Sequence, residues 1–471
     1  MRRSVSFYLV VIALLVGMLA ACGPRPTPVE TPPPATEETA PPQATEETET
    51  PEVEKSPVEQ WAEAVRAEYE GTELRIAVAS HPSIEAFKRM TPRFEELTGI
   101  KVIWDEMEEG VLADKLLLDA TAGTTSYDVV MTCPEFTPAL VDLGMLEPLD
   151  GWIQDPDKTP TWFDYEDILA AYRDMLSYHG QHYGIPFAGE TVFLFYRQDL
   201  FDKYGVEVPQ TMDQLLETAA FFHGKEEGLS GISMRTRLGW EFTYMWSVFI
   251  FPFGGRIVDP ETGEPQLNAP ETVASLEYMI DLLQYAPVGV ESFSFPEAWD
   301  AFMQGKTAMM IEASAAAPEV ENPEKSVVAG QVGYAPMPAG PAGAYSGVWG
   351  WGLAMTAGSE QKEAAWALIT YLTSKALQEE YLANGGIVSR ASVLSDPEQQ
   401  DKYPYYQAIL DTLEQAADLL EQGLGVVLMI PEWSQISEII GTEGARAVAG
   451  EITPEEACDS MQAQVEEILS H

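Results

Sequence analysis

Cysteine is scarce in this chain of 471 residues, which contains only three. Cys22 has a separate role, described below, so Cys133 and Cys458 are the one remaining pair, and nothing in their local sequence brings them together. We therefore expect no disulfide framework of the kind that stabilises small exported domains. The content of 46% apolar and 10% aromatic residues is enough for a large hydrophobic core instead.

Basic residues are also few. The chain has 26 Lys and Arg against 75 Asp and Glu, a formal charge of −49. Nucleic-acid binding rests on neutralising phosphates with cations, so this balance argues against a nucleic-acid partner. It argues equally against a surface that adheres to anionic lipid.

Motifs of catalysis and cofactor binding are absent or incomplete. Gly305-Lys-Thr resembles the end of a phosphate-binding loop, but Asp300 stands where the first glycine is needed. His179 and His182 lack a third metal ligand, and a hairpin with two exposed histidines explains them better. HExxH, GxSxG and Cys-x-x-Cys do not occur. We expect no enzyme activity, no cofactor and no metal.

A hydrophobic run long enough to span a bilayer is missing too. Arg2 and Arg3 precede an apolar run over residues 7–16, shorter than the roughly 20 residues that a membrane helix needs. Leu-Ala-Ala-Cys follows at 19–22. This order is typical of a lipoprotein signal peptide over 1–21, after which Cys22 is lipidated. We expect an extracytoplasmic protein that is anchored to the cell membrane, and the sequence does not decide which membrane.

Residues 22–56 are rich in Pro, Thr and Glu, which predicts a disordered, extended linker. A short helix over 57–70 follows. Strand and helix then alternate, with strands at 73–79, 101–104 and 127–131 and helices at 81–98, 109–122 and 135–143. That alternation indicates a mostly parallel sheet, with ligand contacts in the loops at Ser80, near Glu106 and at 132–135.

Further along, a hairpin is predicted to enter a strand by residue 187, and a separate strand is predicted over 191–196. Ten more helices are predicted near 198–204, 211–223, 240–253, 270–285, 296–304, 360–373, 375–383, 403–421, 434–449 and 454–469.

Four tryptophans stand where elements begin or end, beside Gly, Pro or charged residues: Trp240, Trp349, Trp351 and Trp433. Flat aromatic faces suit the C–H faces of sugars, and carboxylates suit their hydroxyls, as in a small-molecule cleft. The alternative is that these tryptophans belong to the core, where Trp is usually largely buried.

Five stretches in order carry a family resemblance over residues 72–469. They are 94–102 (FEELTGIKV), 183–213 (from YGIPF to Asp213), 301–310 (AFMQGKTAMM), 347–374 (from GVWGWGLA to LTS) and 450–457 (from Gly450 to TPEEA). The chain resembles the extracellular solute-binding proteins of ATP-driven ABC importers that bind sugars and polyols, including maltose-binding proteins. This resemblance implies an α/β, two-lobed periplasmic-binding-protein-like fold with a hinge and an interlobe ligand cleft.

The resemblance also implies the organisation and the partners. Lobe 1 would comprise 57–188 and 346–392, and lobe 2 would comprise 189–345 and 393–471. The partners would be a small carbohydrate ligand and the permease subunits of an importer, and we expect a monomer that performs no chemistry.

Candidate ligand-binding residues follow position by position from the same resemblance: Ser80, His81, Glu135, Glu190, Arg237, Trp240, Trp349, Trp351 and Trp433. Glu190 matches the site carboxylate just past the first crossing between lobes, and its alternative is a solvated acid after a strand. His81 is equally well explained as a helix-start residue. Trp240 and Arg237 lie where the match to relatives is poor.

One departure from the family pattern narrows the choice of ligand. Where maltose binders place a stacking Trp, residues 312–317 read Glu-Ala-Ser-Ala-Ala-Ala, so a monosaccharide, disaccharide or polyol fits better than a maltodextrin. A polyol phosphate is less favoured, since Arg237 and Arg390 are the few basic residues expected near the cleft. Two further classes of protein fit the sequence less well: an extracellular glycoside hydrolase, and a tethered adhesion or scaffold protein with a shallow cleft.

Overall fold

The structure is a computed structural model that describes residues 55–421 and 424–470. The predicted signal peptide, Cys22 and the predicted linker up to residue 54 lie outside the described residues. In the described part, no helix combines the length and apolar character needed to cross a bilayer.

These residues form ten strands and nineteen α-helices. The strands are β1 (Glu73–Ala79), β2 (Lys101–Met107), β3 (Val129–Thr132), β4 (Ser177–Tyr178), β5 (Gln181–His182), β6 (Ile185–Arg197), β7 (Ser230–Ser233), β8 (Thr307–Ala313), β9 (Val332–Ala335) and β10 (Val348–Met355). The helices are α1 (Pro57–Tyr69), α2 (Pro82–Thr98), α3 (Glu109–Thr121), α4 (Thr137–Asp142), α5 (Asp150–Ile153), α6 (Ala170–Asp174), α7 (Gln198–Tyr204), α8 (Met212–Phe222), α9 (Trp240–Phe253), α10 (Pro270–Leu283), α11 (Phe295–Met303), α12 (Ala317–Val320), α13 (Lys362–Thr373), α14 (Gln378–Ala383), α15 (Ala391–Leu394), α16 (Pro397–Lys402), α17 (Tyr406–Glu421), α18 (Trp433–Val448) and α19 (Pro454–Leu469).

The sheet begins as the alternation of elements predicts. β1 pairs in parallel with β2 on one side and with β3 on the other, and helices connect the three strands. The full order is β2-β1-β3-β10-β6-β8-β7, with β9 also pairing with β6. β10 runs antiparallel to both β3 and β6. The carboxyl ends of β1, β2 and β3 therefore lie beside the β6–β10 pair.

β6 is one continuous strand of 13 residues, where the sequence predicts two. Its first part pairs with β10, and from Val192 onward it pairs with β8 and β9. The expected break falls at Gly189, which instead lets the strand pass close to a buried ring. A Cβ at this position would lie 2.0 Å from Cε2 of Tyr172. Glycine here serves close packing, not a turn.

The alternation of Gly and Trp in β10 has a similar cause. Successive side chains of a strand point to opposite faces. A Cβ on Gly352 would lie 2.3 Å from Cδ1 of Leu176, and one on Gly350 would lie 3.2 Å from Cε of Met175. The glycine face thus packs against the chain that follows α6, and Trp349 and Trp351 occupy the other face.

Several smaller predictions are settled by the same structure. The helix predicted over 57–70 is α1, which begins at a capping box formed by Ser56 and Glu59. Cys133 and Cys458 are free and buried. The predicted histidine hairpin is β4–β5, but His182 is only partly exposed, because its Nδ1 lies 2.9 Å from Oδ1 of Asp150.

Candidate ligand-binding cleft

Three loops at the carboxyl ends of the parallel strands contribute polar side chains to one region. Ser80 and His81 follow β1, Glu109 follows β2 as the first residue of α3, and Glu135 follows β3. The alternation of strands and helices in the sequence predicted that these loops lie at the same edge of the sheet. From the second loop, however, it is Glu109 that reaches the cleft, whereas Glu106 pairs with Lys88 at the surface.

The cleft beside these loops has a free volume of about 490 Å³, including the part open to solvent. Its aromatic lining consists of Trp240, Tyr244, Phe295, Trp299, Trp349 and Trp351. Its polar lining consists of Ser80, His81, Glu109, Glu190 and Arg235. Aromatic walls with a few placed polar groups are the usual form of a small-molecule site.

A smaller pocket adjoins this cleft and shares three of its walls, Trp240, Tyr244 and Trp349. Glu135 and Trp433 line the smaller pocket. The structure therefore brings eight of the nine candidate residues together around two adjoining spaces, and their role in ligand binding stays a prediction.

Glu190 and Trp349 are direct cross-strand partners. They lie opposite each other in the antiparallel β6–β10 pair, so their side chains share a face. The ring of Trp349 is 6.2 Å from that of Trp351 and 5.8 Å from that of Tyr244. With 5% exposure, Glu190 is not a solvated acid after a strand. The register of two strands thus sets a carboxylate beside aromatic faces.

His81 fulfils both roles that the sequence left open. It is the N-cap of α2, where its Nδ1 accepts a hydrogen bond from the Ser83 N–H at 3.2 Å. In the neutral ring the proton is then on Nε2, which lies 3.1 Å from Oε1 of Glu190 and donates to it. The helix cap fixes the ring so that it orients the cleft carboxylate.

Arg235 is the basic residue of the cleft. Its Nε and Nη2 donate to the two carboxylate oxygens of Glu312 at 2.9 and 2.5 Å, a bidentate pair. Its Nη1 lies 3.4 Å from Glu241, and its guanidinium carbon lies 4.6 Å from the centre of the Tyr244 ring. Arg235 is 5% exposed and Glu312 is fully buried, so the pair is a fixed part of the wall.

The two arginines proposed from sequence lie elsewhere. Arg237 lines neither pocket; its side chain is 47% exposed and pairs with Glu241 at 3.3 Å. Arg390 is buried, and its guanidinium donates to backbone carbonyls of Phe163, Asp164 and Thr373. The first faces solvent and the second ties together backbone segments outside the cleft, so neither supplies charge to the cleft.

Comparison with known proteins agrees with this architecture. The bacterial extracellular solute-binding protein family matches residues 79–379. The chain belongs to this family. It is 29% identical to the mannitol-binding protein of Pseudomonas aeruginosa over 412 residues, covering 83% of this chain and 91% of that protein.

Solved structures confirm the predicted two-lobed α/β fold of this solute-binding protein. A solute-binding protein of Agrobacterium radiobacter K84 in complex with ribitol has a TM-score of 0.78 and 29% identity. One from Agrobacterium vitis S4 with bound D-mannitol has a TM-score of 0.76 and 30% identity. Each comparison covers 85% of this chain and 99% of the other.

Two cleft carboxyls of the solute-binding protein resist ionisation. Burial, with a further effect of Glu438, raises the pKa of Glu135 to about 7. Burial also raises the pKa of Glu109 well above its usual range, and the charges of Glu135, Glu241 and Glu190 add to this against the opposing effect of Arg235. A protonated carboxyl donates a hydrogen bond, so the cleft offers donors as well as acceptors near neutral pH.

The charged form of Arg235 is favoured, whereas the charged forms of Glu109 and Glu135 are disfavoured. Burial acts to lower the pKa of Arg235, but the carboxylates of Glu312 and Glu241 outweigh burial and raise the pKa. The guanidinium therefore stays charged, and its charge is matched by Glu312.

Some buried polar atoms of the cleft wall have no hydrogen-bond partner. Tyr244 Oη and Trp299 Nε1 are among them, and both side chains line the cleft. Buried polar groups are nearly always paired, so these two atoms are available to a polar ligand in the cleft.

The sequence missed Glu109, Arg235, Tyr244, Phe295 and Trp299. The signal used for Trp240, an aromatic residue near the start of a helix, applies also to Phe295 and Trp299. Both lie in the first turns of α11, which begins after the capping residue Ser294. Tyr244 lies within the apolar helix α9 and reads as core. Within the described residues, no group of three or more His, Cys, Asp or Glu side chains is placed to hold a metal ion.

Proposed function

We propose that this solute-binding protein captures a polyol or a small sugar in the cleft and delivers it to an ABC importer. The observation that carries the proposal is the wall formed by Glu190 and Trp349, which joins a buried carboxylate to an aromatic face. Relatives that bind mannitol and ribitol support the same class of ligand.

The chemistry of the wall fits such a ligand. Polyols and sugars present hydroxyls that both donate and accept, together with apolar C–H faces. Glu190 accepts hydrogen bonds, Tyr244 and Trp299 offer unpartnered donors, and Trp349 and Trp351 offer flat faces. A hydroxyl-rich solute would satisfy groups that are otherwise buried without partners.

The segment that lacks a stacking Trp supports a small ligand. Ala315, with its single methyl group, lines the cleft there. Glu312, in the same segment, binds Arg235. Both residues have roles that differ from stacking on an extended maltodextrin.

A hinge at the predicted lobe boundaries would couple capture to delivery. The boundary between 188 and 189 falls inside β6, and that between 345 and 346 falls just before β10. Binding would favour the closed arrangement, because the ligand would contact both lobes only in that state. We propose that this closed, monomeric form is what the permease subunits recognise.

Lipid on Cys22 would keep the protein at the cell membrane. The support is the order of basic, apolar and small residues before Cys22 in the sequence. Labelling of cells with a radioactive fatty acid tests it: the wild type should be labelled and membrane-bound, and Cys22→Ala should be unlabelled. Label on the variant would contradict the assignment.

Glycoside hydrolysis is the second candidate, and one observation favours it. A cleft carboxyl with a raised pKa, such as Glu135, is what a general acid requires. We propose that the protein binds its ligand without hydrolysing it. Release of nitrophenol from a panel of nitrophenyl glycosides at a rate abolished by Glu135→Gln would reverse that choice.

Isothermal titration calorimetry tests the proposed ligand class directly. The panel is ribitol, D-mannitol, D-sorbitol, erythritol, D-glucose and maltose, with Trp349→Ala as the cleft variant and the exposed Leu238→Ala as its control. We expect binding of at least one member at a ratio of one to one, lost in the cleft variant and kept in the control. Absence of binding across the panel would refute the proposal.

A further inference from the structure

Three carboxyl groups that line the cleft or the smaller adjoining pocket lack a basic partner. Glu109, Glu135 and Glu190 line these spaces, and among the described residues no Lys or Arg forms an ion pair with any of them. In the described part of the chain, the imidazole of His81 is the one side-chain group within hydrogen-bond distance of the Glu190 carboxylate. The pockets thus carry an excess of acidic groups that the protein itself does not compensate.

Arg235 does not correct this excess. Its guanidinium is held by both oxygens of Glu312, a buried charge of opposite sign, so the pair is neutral overall. Glu241 lies 3.4 Å from the remaining nitrogen and also pairs with the exposed Arg237, so this second pair leaves no positive charge for the cleft either. An anionic ligand would therefore meet uncompensated acids, whereas a cationic one would supply the missing counter-charge.

Resting on the proposed function, we infer that the cleft prefers a cationic hydroxylated solute, an amino polyol or amino sugar in its protonated form, over the neutral parent. The ammonium group would donate hydrogen bonds to Glu109 and Glu190. The hydroxyls would reach Tyr244 and Trp299, whose polar atoms are unpartnered and buried.

The aromatic walls favour the same ligand. An ammonium group near the face of a Trp or Tyr ring is attracted by the negative charge of that face. Trp349 and Trp351 supply such faces beside Glu190, and Tyr244 already receives one cation, Arg235, 4.6 Å from its ring centre. The same walls bind the C–H faces of a neutral polyol, so the amine adds affinity to a site that accepts both.

Binding of a cation should also release protons. Burial and the charges of Glu135, Glu190 and Glu241 raise the pKa of Glu109 against the opposing charge of Arg235, and burial with the charge of Glu438 raises the pKa of Glu135. Both carboxyls are therefore protonated at pH values where exposed carboxyls are charged. A bound ammonium would stabilise their ionised forms, so a proton would leave for the buffer. A neutral polyol brings no such charge and only shields the carboxyls further from water.

Calorimetry on matched ligand pairs tests the inference. The pairs are D-sorbitol with D-glucamine, in which an amine replaces one terminal hydroxyl, and D-glucose with D-glucosamine. We expect the amine of at least one pair to bind at least about tenfold more tightly than its parent, since hydrogen bonds between charged groups are roughly twice as strong as neutral ones. Titrations of D-sorbitol and D-glucamine at pH 7.5 in two buffers of different ionisation enthalpy should show proton release with D-glucamine only.

Two outcomes separate this inference from the proposed function. If the neutral parents bind and the amines bind equally or more weakly, the charge preference is wrong and the proposed function stands. If neither class binds, the proposed function itself fails. Tighter binding of sorbitol phosphate than of sorbitol would also overturn the inference.

A variant of Glu109 tests whether this carboxyl is the source of the preference for the amine. Glu109→Gln should reduce the preference for the amine by about tenfold and change sorbitol affinity by less than about threefold. Glu227→Gln removes one charge from an exposed position that lines neither pocket, so it should leave the preference unchanged. An unchanged preference in a folded Glu109→Gln protein would assign the charge effect elsewhere and refute the geometry. If that variant does not fold, the wild type alone tests the inference: proton release on binding of the amine supports it, and its absence refutes it.

Discussion

Removal of the Glu190 carboxylate is the sharpest perturbation of the cleft. Glu190 is 5% exposed, lies opposite Trp349 in the β6–β10 pair and accepts a hydrogen bond from His81 at 3.1 Å. A ligand hydroxyl that donates to this carboxylate forms a hydrogen bond to a charged group, worth ~1.5–3 kcal/mol. Loss of one such bond in Glu190→Ala should raise the Kd by about 10- to 150-fold.

The conservative variant separates charge from geometry. Glu190→Gln keeps a carbonyl oxygen that accepts from His81, so the wall should hold its shape. A hydrogen bond to a neutral acceptor is about half as strong, and the Kd should rise by only about 3- to 10-fold. The assay is calorimetry with the tightest-binding polyol, alongside thermal unfolding to verify that both variants fold. A folded Glu190→Ala protein with unchanged affinity would refute the assignment of Glu190 to the site.

Three further predictions concern packing and charge. Gly189→Ala should lower the free energy of unfolding by about 1–3 kcal/mol, because its Cβ would lie 2.0 Å from Cε2 of the buried Tyr172; an unchanged melting temperature would contradict this. Glu312→Ala should cost about 3–5 kcal/mol of stability, measured by urea unfolding, because it removes the bidentate partner of buried Arg235, and Glu312→Gln should cost less. The pKa of Glu135 is raised from 4.5 to about 7, so the unfolded chain loses this proton first, and stability should fall by up to about 1.4 kcal/mol per pH unit between these values. Urea unfolding across that window should show a shallower fall in Glu135→Gln, and an identical slope would show that Glu135 is ionised in the folded state.

The early part of the fold was predictable because its signals are local. Each strand from β1 to β3 is followed by a helix whose apolar spacing and terminal glycine or cap are visible in the sequence. Parallel strands then bring their carboxyl ends together, which located Ser80, His81 and Glu135 without any contact information.

The continuity of β6 was not predictable in the same way. Gly189 reads as an interruption, and only the position of Tyr172 on another element explains why glycine is required there. The alternation of Gly and Trp in β10 shows the opposite case. Its flat rings favour a site from sequence alone, and that role stays a prediction, whereas its glycines are explained only by close packing against Met175 and Leu176.

The electrostatic part of the cleft was the hardest to predict. Arg235 and Glu312 are 77 residues apart, and their pairing depends on how β8 lies in the sheet. Tyr244 is surrounded by apolar residues in α9, so its place in the cleft wall leaves no trace in the sequence. Arg237, the basic residue chosen from sequence, is two positions away from Arg235, yet its side chain is 47% exposed whereas that of Arg235 is buried against Glu312.

A crystal structure grown with the tightest-binding polyol or sugar of the panel tests the central claim most directly. We predict one solute molecule between the lobes, with a hydroxyl within hydrogen-bond distance of Glu190 and a C–H face against Trp349. A solute bound elsewhere on the protein, with this cleft holding only water, would contradict that prediction.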